Sequence, residues 1–189
     1  MLNYLPLVIF RLLVITQADV VLALVLLRNE FDAEEMKRTY DFYDPMTTGD
    51  SSLSVCIQGI VAAELRYMEK AREYARHALL MDLNDVAGNV SDGCHIASMG
   101  GTWMMLAQGL VGFRDAGGEF SFRPLRPHDF HDVRVRFRLR GNQLEVCIRD
   151  GETTYRLLSG PGLEVCHVDA ALSLTPVNPT AARACLRTA

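Results

Sequence analysis

Two polar clusters in the first half of the chain carry residue types that could bind an anion. Residues 47–54 read TTGDSSLS, and residues 91–98 read SDGCHIAS. Each cluster lies directly ahead of an apolar segment with helical spacing. The free N–H groups of a helix start, the helix dipole and serine hydroxyls together suit an anion such as phosphate.

A second interpretation explains the same clusters without a ligand. Serine and aspartate commonly cap helices, and a single histidine at a helix start is more often a hydrogen-bonded core residue than a catalyst. The first cluster has more hydroxyl groups than one cap requires. If both helices belong to the inner layer of a barrel, the clusters converge at one end of it, which favours a binding site.

The helical first half predicts the scaffold that positions these clusters. Segments 19–27, 52–65 and 95–111 are largely apolar, whereas segments 34–43 and 68–81 are charged and amphipathic. Alternating buried and exposed helices are typical of helical hairpins wrapped into a barrel, with each inner helix followed by an outer one. Five helices cannot close such a barrel, so the sequence predicts a fragment of one.

Local signals predict both ends of the first charged helix. Asp32 and Glu35 stand three residues apart. This is the spacing of a capping box, with one acid at the N-cap position and the other at the third helical position. Asp44 and Pro45 predict the helix end, because the residue before a proline disfavours helical geometry.

Short alternating runs punctuated by glycine and proline predict strands in the second half. The predicted strands are 119–124, 132–140, 143–149, 153–158 and 162–168. Gly141-Asn142 and Asp150-Gly151 are hairpin signals. These strands favour a small antiparallel β-sandwich, and the residues after Pro176 are expected to be loosely ordered. The change of composition near Phe113 predicts two domains, residues 1–113 and 114–189.

Bulk composition excludes several classes of protein. The chain has 189 residues, of which 49% are hydrophobic and 22% charged, so a packed core is expected and disorder is not. Its net charge of -4 gives no footprint for nucleic acid. The four arginines of segment 133–140 could contact phosphates, but a strand with one solvated face, paired with acids such as Glu145, is the favoured interpretation.

Cysteine spacing and the apolar N-terminal stretch bear on the compartment. Five widely spaced cysteines without a CxxC pattern indicate reduced thiols, so we expect a cytoplasmic protein without a metal site. Arg11, Gln17 and Asp19 interrupt the apolar residues 2–27, whose uninterrupted runs are too short to span a bilayer. A buried helix is predicted there, and neither a membrane span nor a signal peptide.

Four stretches, in order, resemble glycoside hydrolase family 65. They are QADVV at 17–21, YDP at 43–45 followed by DSSLS at 50–54, DGCHIASMGGTW at 92–103, and FSFRPL at 120–125. The resemblance extends over residues 14–170, and its order matches the last helices and the C-terminal sandwich of that family.

The resemblance implies both a fold and a reaction. Family members such as maltose, trehalose and kojibiose phosphorylases have an N-terminal β-sandwich, an (α/α)6 barrel and a small C-terminal β-sandwich. They cleave α-glucosides with inversion, using phosphate as the nucleophile and one glutamate as the general acid. The implied ligands are an α-linked glucose disaccharide and inorganic phosphate, with no cofactor. The implied protein partner is the missing barrel portion or a second copy of the chain.

The resemblance also assigns site residues. Ser51, Ser52 and His95 match the family's phosphate-binding positions, and Gln17 matches the second residue of a sugar-contacting Lys-Gln pair. Thr16 stands in place of that lysine.

Further departures from the family bear on catalysis. Gly49 stands where many members have histidine, and residues 1–13 do not resemble the family. The family's general acid precedes the matched region, so no catalytic residue is assigned here and the chain alone is expected to be inactive. The alternative is a non-catalytic remnant, a structural or weakly sugar- or phosphate-binding module. A hydrolase would need a carboxylate base, for which Asp50 is the candidate, although a role in capping or holding the loop is favoured.

Overall fold

The computed structural model describes residues 14–48, 51–86, 88, 90–126 and 132–187. The chain divides into two compact units, of which the first ends at Met105 and the second begins at Leu106. The first is helical and the second consists mainly of strands. The division after Phe113 stays a sequence-based prediction. Within the described part of the chain, no helix combines the length and apolarity that a membrane crossing demands.

Within its described residues, the helical unit contains five α-helices near the positions that the sequence predicts. They are α1 Asp19–Leu26, α2 Ala33–Tyr43, α3 Ser54–Glu64, α4 Met68–Leu80 and α5 Ile96–Met104. Short 3-10 turns cover Arg28–Glu30, Asp44–Met46 and Val90–Asp92. The last predicted helix is shorter than expected, because a π-helical segment, Met105–Leu110, follows α5.

The predicted ends of α2 are confirmed. Asp32 accepts a hydrogen bond from the backbone N–H of Glu35 at 2.8 Å, and the Glu35 carboxylate accepts one from the N–H of Asp32 at 3.1 Å. This reciprocal pair satisfies two N–H groups that the first turn leaves free. At the other end, Asp44 opens the 3-10 turn that contains Pro45.

Burial follows the predicted alternation in the three central helices. Nine of the eleven residues of α3 are buried, whereas α2 and α4 bury two residues each. Helix α3 is the most enclosed because α1, α4 and α5 all pack against it.

The prediction of full burial is wrong for α1 and for the last helix. Helix α1 buries Val21 and Leu24 but leaves Leu26 69% exposed. Helix α5 buries Ser98 alone, and Ile96 on its surface is 71% exposed. A helix that is apolar all round needs neighbours on every side. Among the described helices, α1 packs against α2 and α3, and α5 packs against α3 and α4, so part of each surface stays exposed.

In the part of the second unit that the structure describes, the strands form two four-stranded sheets. One sheet has the order β1-β2-β6-β7, and its strands are β1 Arg114–Ala116, β2 Glu119–Phe122, β6 Leu163–His167 and β7 Ala170–Leu174. The other has the order β3-β4-β5-β8, and its strands are β3 Asp132–Leu139, β4 Asn142–Arg149, β5 Glu152–Ser159 and β8 Thr180–Ala184. Apolar residues of both sheets share one core, in which Phe122 and Tyr155 meet edge to face with ring centroids 5.3 Å apart.

Two expectations for this sandwich need correction. The sheets are not wholly antiparallel, because β2 pairs with β6 in parallel through Ser121 and Cys166. The residues after Pro176 are not all loosely ordered, since β8 pairs with β5 over its whole length. Strand β8 reads TAARA and its side chains lie largely at the surface, so it lacks the apolar alternation that marks a strand.

The arginine-rich strand β3 has one buried face and one solvated face, as the favoured interpretation of the sequence predicts. Its valine, phenylalanine and leucine side chains are buried, while its arginines face outwards. Arg136 lies opposite Glu145 of β4 and donates a hydrogen bond to that carboxylate at 2.9 Å. The hairpin turn comes one residue earlier than predicted, at Arg140 and Gly141, both of which have the positive φ that a type I′ turn requires.

One buried histidine links the two sheets. The ring of His167 in β6 lies 2.8 Å from the Tyr155 hydroxyl through Nδ1 and 3.0 Å from the Ala184 carbonyl oxygen through Nε2. Because a carbonyl oxygen only accepts, Nε2 carries the hydrogen and Nδ1 accepts from the tyrosine. Burial lowers the pKa of His167 below its ordinary value of 6.5.

This histidine predicts acid sensitivity of the sandwich. Because the folded pKa is the lower one, stability is fully present above pH 6.5 and is lost as the pH falls through the folded pKa. We expect the free energy of unfolding to decline below pH 6.5 by at most about 1.4 kcal/mol per pH unit, the limit for one proton. Urea unfolding between pH 7 and 5 measures it. The decline should vanish in His167→Gln and persist in His77→Gln, whose histidine lies on α4; an equal decline in both variants contradicts it.

Candidate functional site

The serine-rich cluster ends in a turn ahead of α3. Ser51 and Ser52 are half-buried, and the Ser51 hydroxyl lies 3.4 Å from the backbone N of Leu53. The residue that caps α3 is Leu53, whose side chain makes no capping hydrogen bond. Simple capping therefore does not account for both serines. Gly49 and Asp50 lie outside the described residues.

The segment that contains Gln17 lies against the same helix start. Ile15 donates its N–H to the Met46 carbonyl and accepts from the N–H of Thr48, both at 2.9 Å. Farther along, the N–H of Ala18 donates to the Ser54 hydroxyl at 3.1 Å. Gln17 itself is exposed between these two anchor points. The polar end of Gln17 is therefore presented to solvent beside the first turn of α3.

His95 immediately precedes α5 and is bound to an aspartate on the preceding loop. The Asp82 carboxylate reaches the ring Nδ1 of His95 at 2.6 Å and accepts its backbone N–H at 3.0 Å. The side chain of His95 is 20% exposed and that of Asp82 is 15% exposed. The hydrogen bond from His95 holds the pKa of Asp82 below its ordinary value of 3.8.

The first turns of α3 and α5 touch each other. The Cys56 thiol donates to the Ser98 carbonyl oxygen, with 3.7 Å between sulfur and oxygen. A Cβ added at Gly101 would lie 2.6 Å from that sulfur, so only glycine permits this approach. Cys56 and Ser98 are each the third residue of their helix. The positive ends of the two helices therefore lie side by side, each preceded by one of the polar clusters.

A buried network holds this end of the helical unit together. The Asp44 carboxylate is 3% exposed and accepts hydrogen bonds from Gln58 Nε2 and the Tyr74 hydroxyl at 2.8 Å each, and from Lys70 Nζ at 2.5 Å. The Tyr40 hydroxyl donates to the Gln58 carbonyl oxygen at 3.3 Å. Burial, and to a smaller extent the nearby Asp44, raises the pKa of Tyr40. The phenol therefore keeps its proton and remains a hydrogen-bond donor.

Asp82 was not predicted from the sequence, and Asp44 was assigned only to the end of α2. Thirteen positions separate Asp82 from His95, and the loop that brings them together has no spacing rule. Asp44 belongs to the YDP motif at residues 43–45. Its partners Gln58 and Tyr74 lie on the next two helices along the chain, α3 and α4. Polar residues within otherwise apolar α3, such as Gln58, were the available signal, because a buried amide needs partners.

A shallow cavity on the second unit offers less chemistry. It measures about 420 Å³ and is lined by Arg134, Cys147, Arg149, Asp150, Glu152 and Thr154. Arg134 and Arg149 both pair with Asp132, which reduces their attraction for another anion. Burial and the neighbouring Asp132 raise the pKa of Cys147, so its thiol is a poor nucleophile. Across the described residues, no three metal-binding side chains gather into one group.

Comparison with known proteins places these features in a family. The model of the glycosyl hydrolase family 65 central catalytic domain matches residues 3–104, and that of the family 65 C-terminal domain matches residues 113–174. The expectation that residues 1–13 do not resemble the family is therefore wrong for residues 3–13.

Individual relatives are several times longer than this chain. An uncharacterized glycosyl hydrolase of Mycobacterium leprae is 40% identical over 169 residues, which are 88% of this chain and 21% of that protein. The α,α-trehalose phosphorylase of Thermoanaerobacter brockii is 37% identical over 166 residues, again 88% of this chain and 21% of the relative. The chain thus spans about a fifth of the length of these relatives.

A solved structure agrees on the fold. A putative kojibiose phosphorylase from the human microbiome superposes with a TM-score of 0.85 at 21% identity, covering 92% of this chain and 25% of that one. At this identity the likeness speaks for the fold alone. The family models match the helices and the sandwich in turn, and the chain therefore belongs to glycosyl hydrolase family 65.

Proposed function

We propose that the chain carries the phosphate-binding part of an inverting α-glucoside phosphorylase. The observation that carries the proposal is the contact between the first turns of α3 and α5, through Cys56 and Ser98. It brings together two helix ends that each favour an anion. Ser51 and Ser52 precede one end and His95 precedes the other. In this role the serine hydroxyls and the imidazole bind inorganic phosphate.

The second ligand is an α-linked glucose disaccharide of the maltose, trehalose or kojibiose type. Gln17 contacts the sugar, and its exposed position beside the start of α3 is compatible with this role. Thr16 removes one positive charge from that region relative to the family pattern. The name of the trehalose phosphorylase relative favours phosphorolysis over hydrolysis. The general acid comes from the preceding part of the catalytic domain, so the chain alone has no turnover.

Calorimetric titration with inorganic phosphate tests this assignment. We expect saturable binding that weakens about tenfold or more in Ser51→Ala/Ser52→Ala and in His95→Ala, since each loses hydrogen bonds to a charged ligand. Ser173→Ala on β7 is the matched control, because its exposed side chain lies in the other unit. Absent saturation in the parent chain, or equal affinity in all variants, contradicts the proposal.

We further propose that α1 and α5 complete an (α/α)6 barrel with the preceding part of the domain. Their exposed apolar residues support this arrangement: Leu26 and Leu27 at the end of α1, and Ile96 and Met99 on α5, are between 49% and 71% exposed. Ile96 and Met99 are three residues apart and so share one helix face. Exposed apolar patches of this kind mark surfaces that another polypeptide covers.

The isolated chain is therefore expected to self-associate. Sedimentation velocity at rising concentration should show species above 21.1 kDa, together with binding of a dye that detects apolar surface. Leu26→Glu/Ile96→Glu should shift the distribution towards monomer at little cost in thermal stability, because both side chains already lie largely in solvent. A parent chain that is monomeric at high concentration and binds no dye would refute this expectation.

A further inference from the structure

The bond between Asp82 and His95 has two parts that act on different atoms of the histidine. One carboxylate oxygen lies 2.6 Å from the ring Nδ1, and the other accepts the backbone N–H at 3.0 Å. The first contact orients the ring, and the second fixes the backbone from which the ring projects. Asp82 comes from the loop after α4, so the histidine at the start of α5 is held from outside its own helix.

The contact at Nδ1 decides which ring nitrogen is available to a ligand. An ionised carboxylate can only accept hydrogen bonds, so Nδ1 carries a hydrogen and donates it. Among the described residues, the hydrogen bonds of His95 involve its ring Nδ1 and its backbone N–H. None of these hydrogen bonds involves Nε2. The side chain is 20% exposed, so part of the ring is accessible to solvent.

We propose that Asp82 is a positioning residue that holds the His95 imidazole with Nε2 directed at the bound phosphate. This inference rests on the proposed phosphate-binding role of His95. With Nδ1 bound to the Asp82 carboxylate, Nε2 is the ring nitrogen left to form a hydrogen bond with the phosphate. Asp82 does not touch the phosphate.

A simpler role for Asp82 would be to hold its loop. Asp85 provides the matched control, because its carboxylate lies in the same loop and accepts the backbone N–H of Val90 at 2.9 Å. Asp85→Ala removes a comparable loop contact without touching His95. A role confined to loop structure predicts similar effects for both substitutions, whereas positioning of the ring predicts an effect for Asp82 alone.

The test combines nitrogen NMR of the imidazole with titration by inorganic phosphate, on the full chain. In the parent and in Asp85→Ala, the neutral His95 ring should be hydrogenated at Nδ1. In Asp82→Ala it should move towards the Nε2-hydrogenated form, and phosphate should bind about tenfold more weakly, as expected for loss of a charged hydrogen bond. Asp82→Asn removes the charge while keeping a hydrogen-bonding side chain, and we expect weakened binding there too.

Three outcomes separate this inference from the function on which it rests. If the parent binds phosphate and His95→Ala weakens binding, but Asp82→Ala changes neither the tautomer nor the affinity, the inference is overturned and the proposed function stands. If Asp85→Ala weakens binding as much as Asp82→Ala, loop structure explains the effect and the inference is again overturned. If the parent binds no phosphate, the proposed function fails and the inference fails with it, even when the tautomer is as expected.

Discussion

The purified chain is expected to release no glucose 1-phosphate from maltose, trehalose or kojibiose, with or without inorganic phosphate. Family 65 chemistry needs a glutamic acid that protonates the leaving oxygen, and no glutamate of this chain lies in a family motif that supplies it. Loss of general acid catalysis alone lowers rates by about 10²–10⁴-fold. Loss of the rest of the catalytic domain also removes substrate positioning, which contributes comparably. An assay of glucose 1-phosphate at high protein concentration measures the outcome.

The control for this assay must exclude enzymes of the expression host. His95→Ala, purified in parallel, serves this purpose, because host activity does not depend on it. Turnover present in the parent and absent in His95→Ala contradicts the expectation and makes the chain an enzyme by itself. Equal turnover in both preparations identifies a contaminant.

Asp44→Ala is expected to have the largest effect on stability of any polar substitution in the helical unit. The change leaves Gln58 and Tyr74 without their buried acceptor and removes the partner of Lys70. Lys70 is 45% exposed and regains water, so the cost comes mainly from the buried Gln58 and the half-buried Tyr74. Gln58 Nε2 keeps the Tyr74 hydroxyl as an acceptor at 3.2 Å, so we expect the free energy of unfolding to fall by about 2 kcal/mol, as for the loss of hydrogen bonds to a charged acceptor.

Urea unfolding followed by tryptophan fluorescence isolates this effect. The sequence contains a single tryptophan, Trp103 on α5, so the signal reports on the helical unit. Asp41→Ala is the control: its carboxylate is 42% exposed, pairs with Lys37 four residues away on the same helix and accepts a hydrogen bond from the Tyr67 hydroxyl at 2.9 Å. Such surface pairs contribute at most about 1 kcal/mol. Equal losses in the two variants would show that the Asp44 network adds nothing beyond an ordinary surface contact.

The features that sequence predicted correctly depend on residues close together in the chain. The pair Asp32 and Glu35 spans three residues, so its geometry follows once a helix forms. The outward arginines of β3 follow from the two-residue period of a strand. The match between Arg136 and Glu145 required only a short hairpin between neighbouring strands.

The features that sequence did not predict depend on distant partners. Strand β8 has little β-propensity and takes its order from the hydrogen-bond ladder with β5. The parallel pairing of β2 and β6 joins residues more than forty positions apart. The exposure of α1 and α5 depends on which helices surround them, and composition does not report this. The site residues Gln17, Ser51, Ser52 and His95 stay predictions from the family resemblance, whereas the contact between Asp82 and His95 could be found only from coordinates.

We propose that inorganic phosphate binds where the starts of α3 and α5 meet. The most direct measurement is a residue-resolved NMR titration of the 21.1 kDa chain with inorganic phosphate. We expect saturable chemical-shift changes of the backbone amides of Ser51, Ser52 and the first turns of α3 and α5, and of the His95 ring. No such changes are expected in the sandwich. Shifts confined to the arginine face of β3 and β4, or no saturable shift at all, would contradict it.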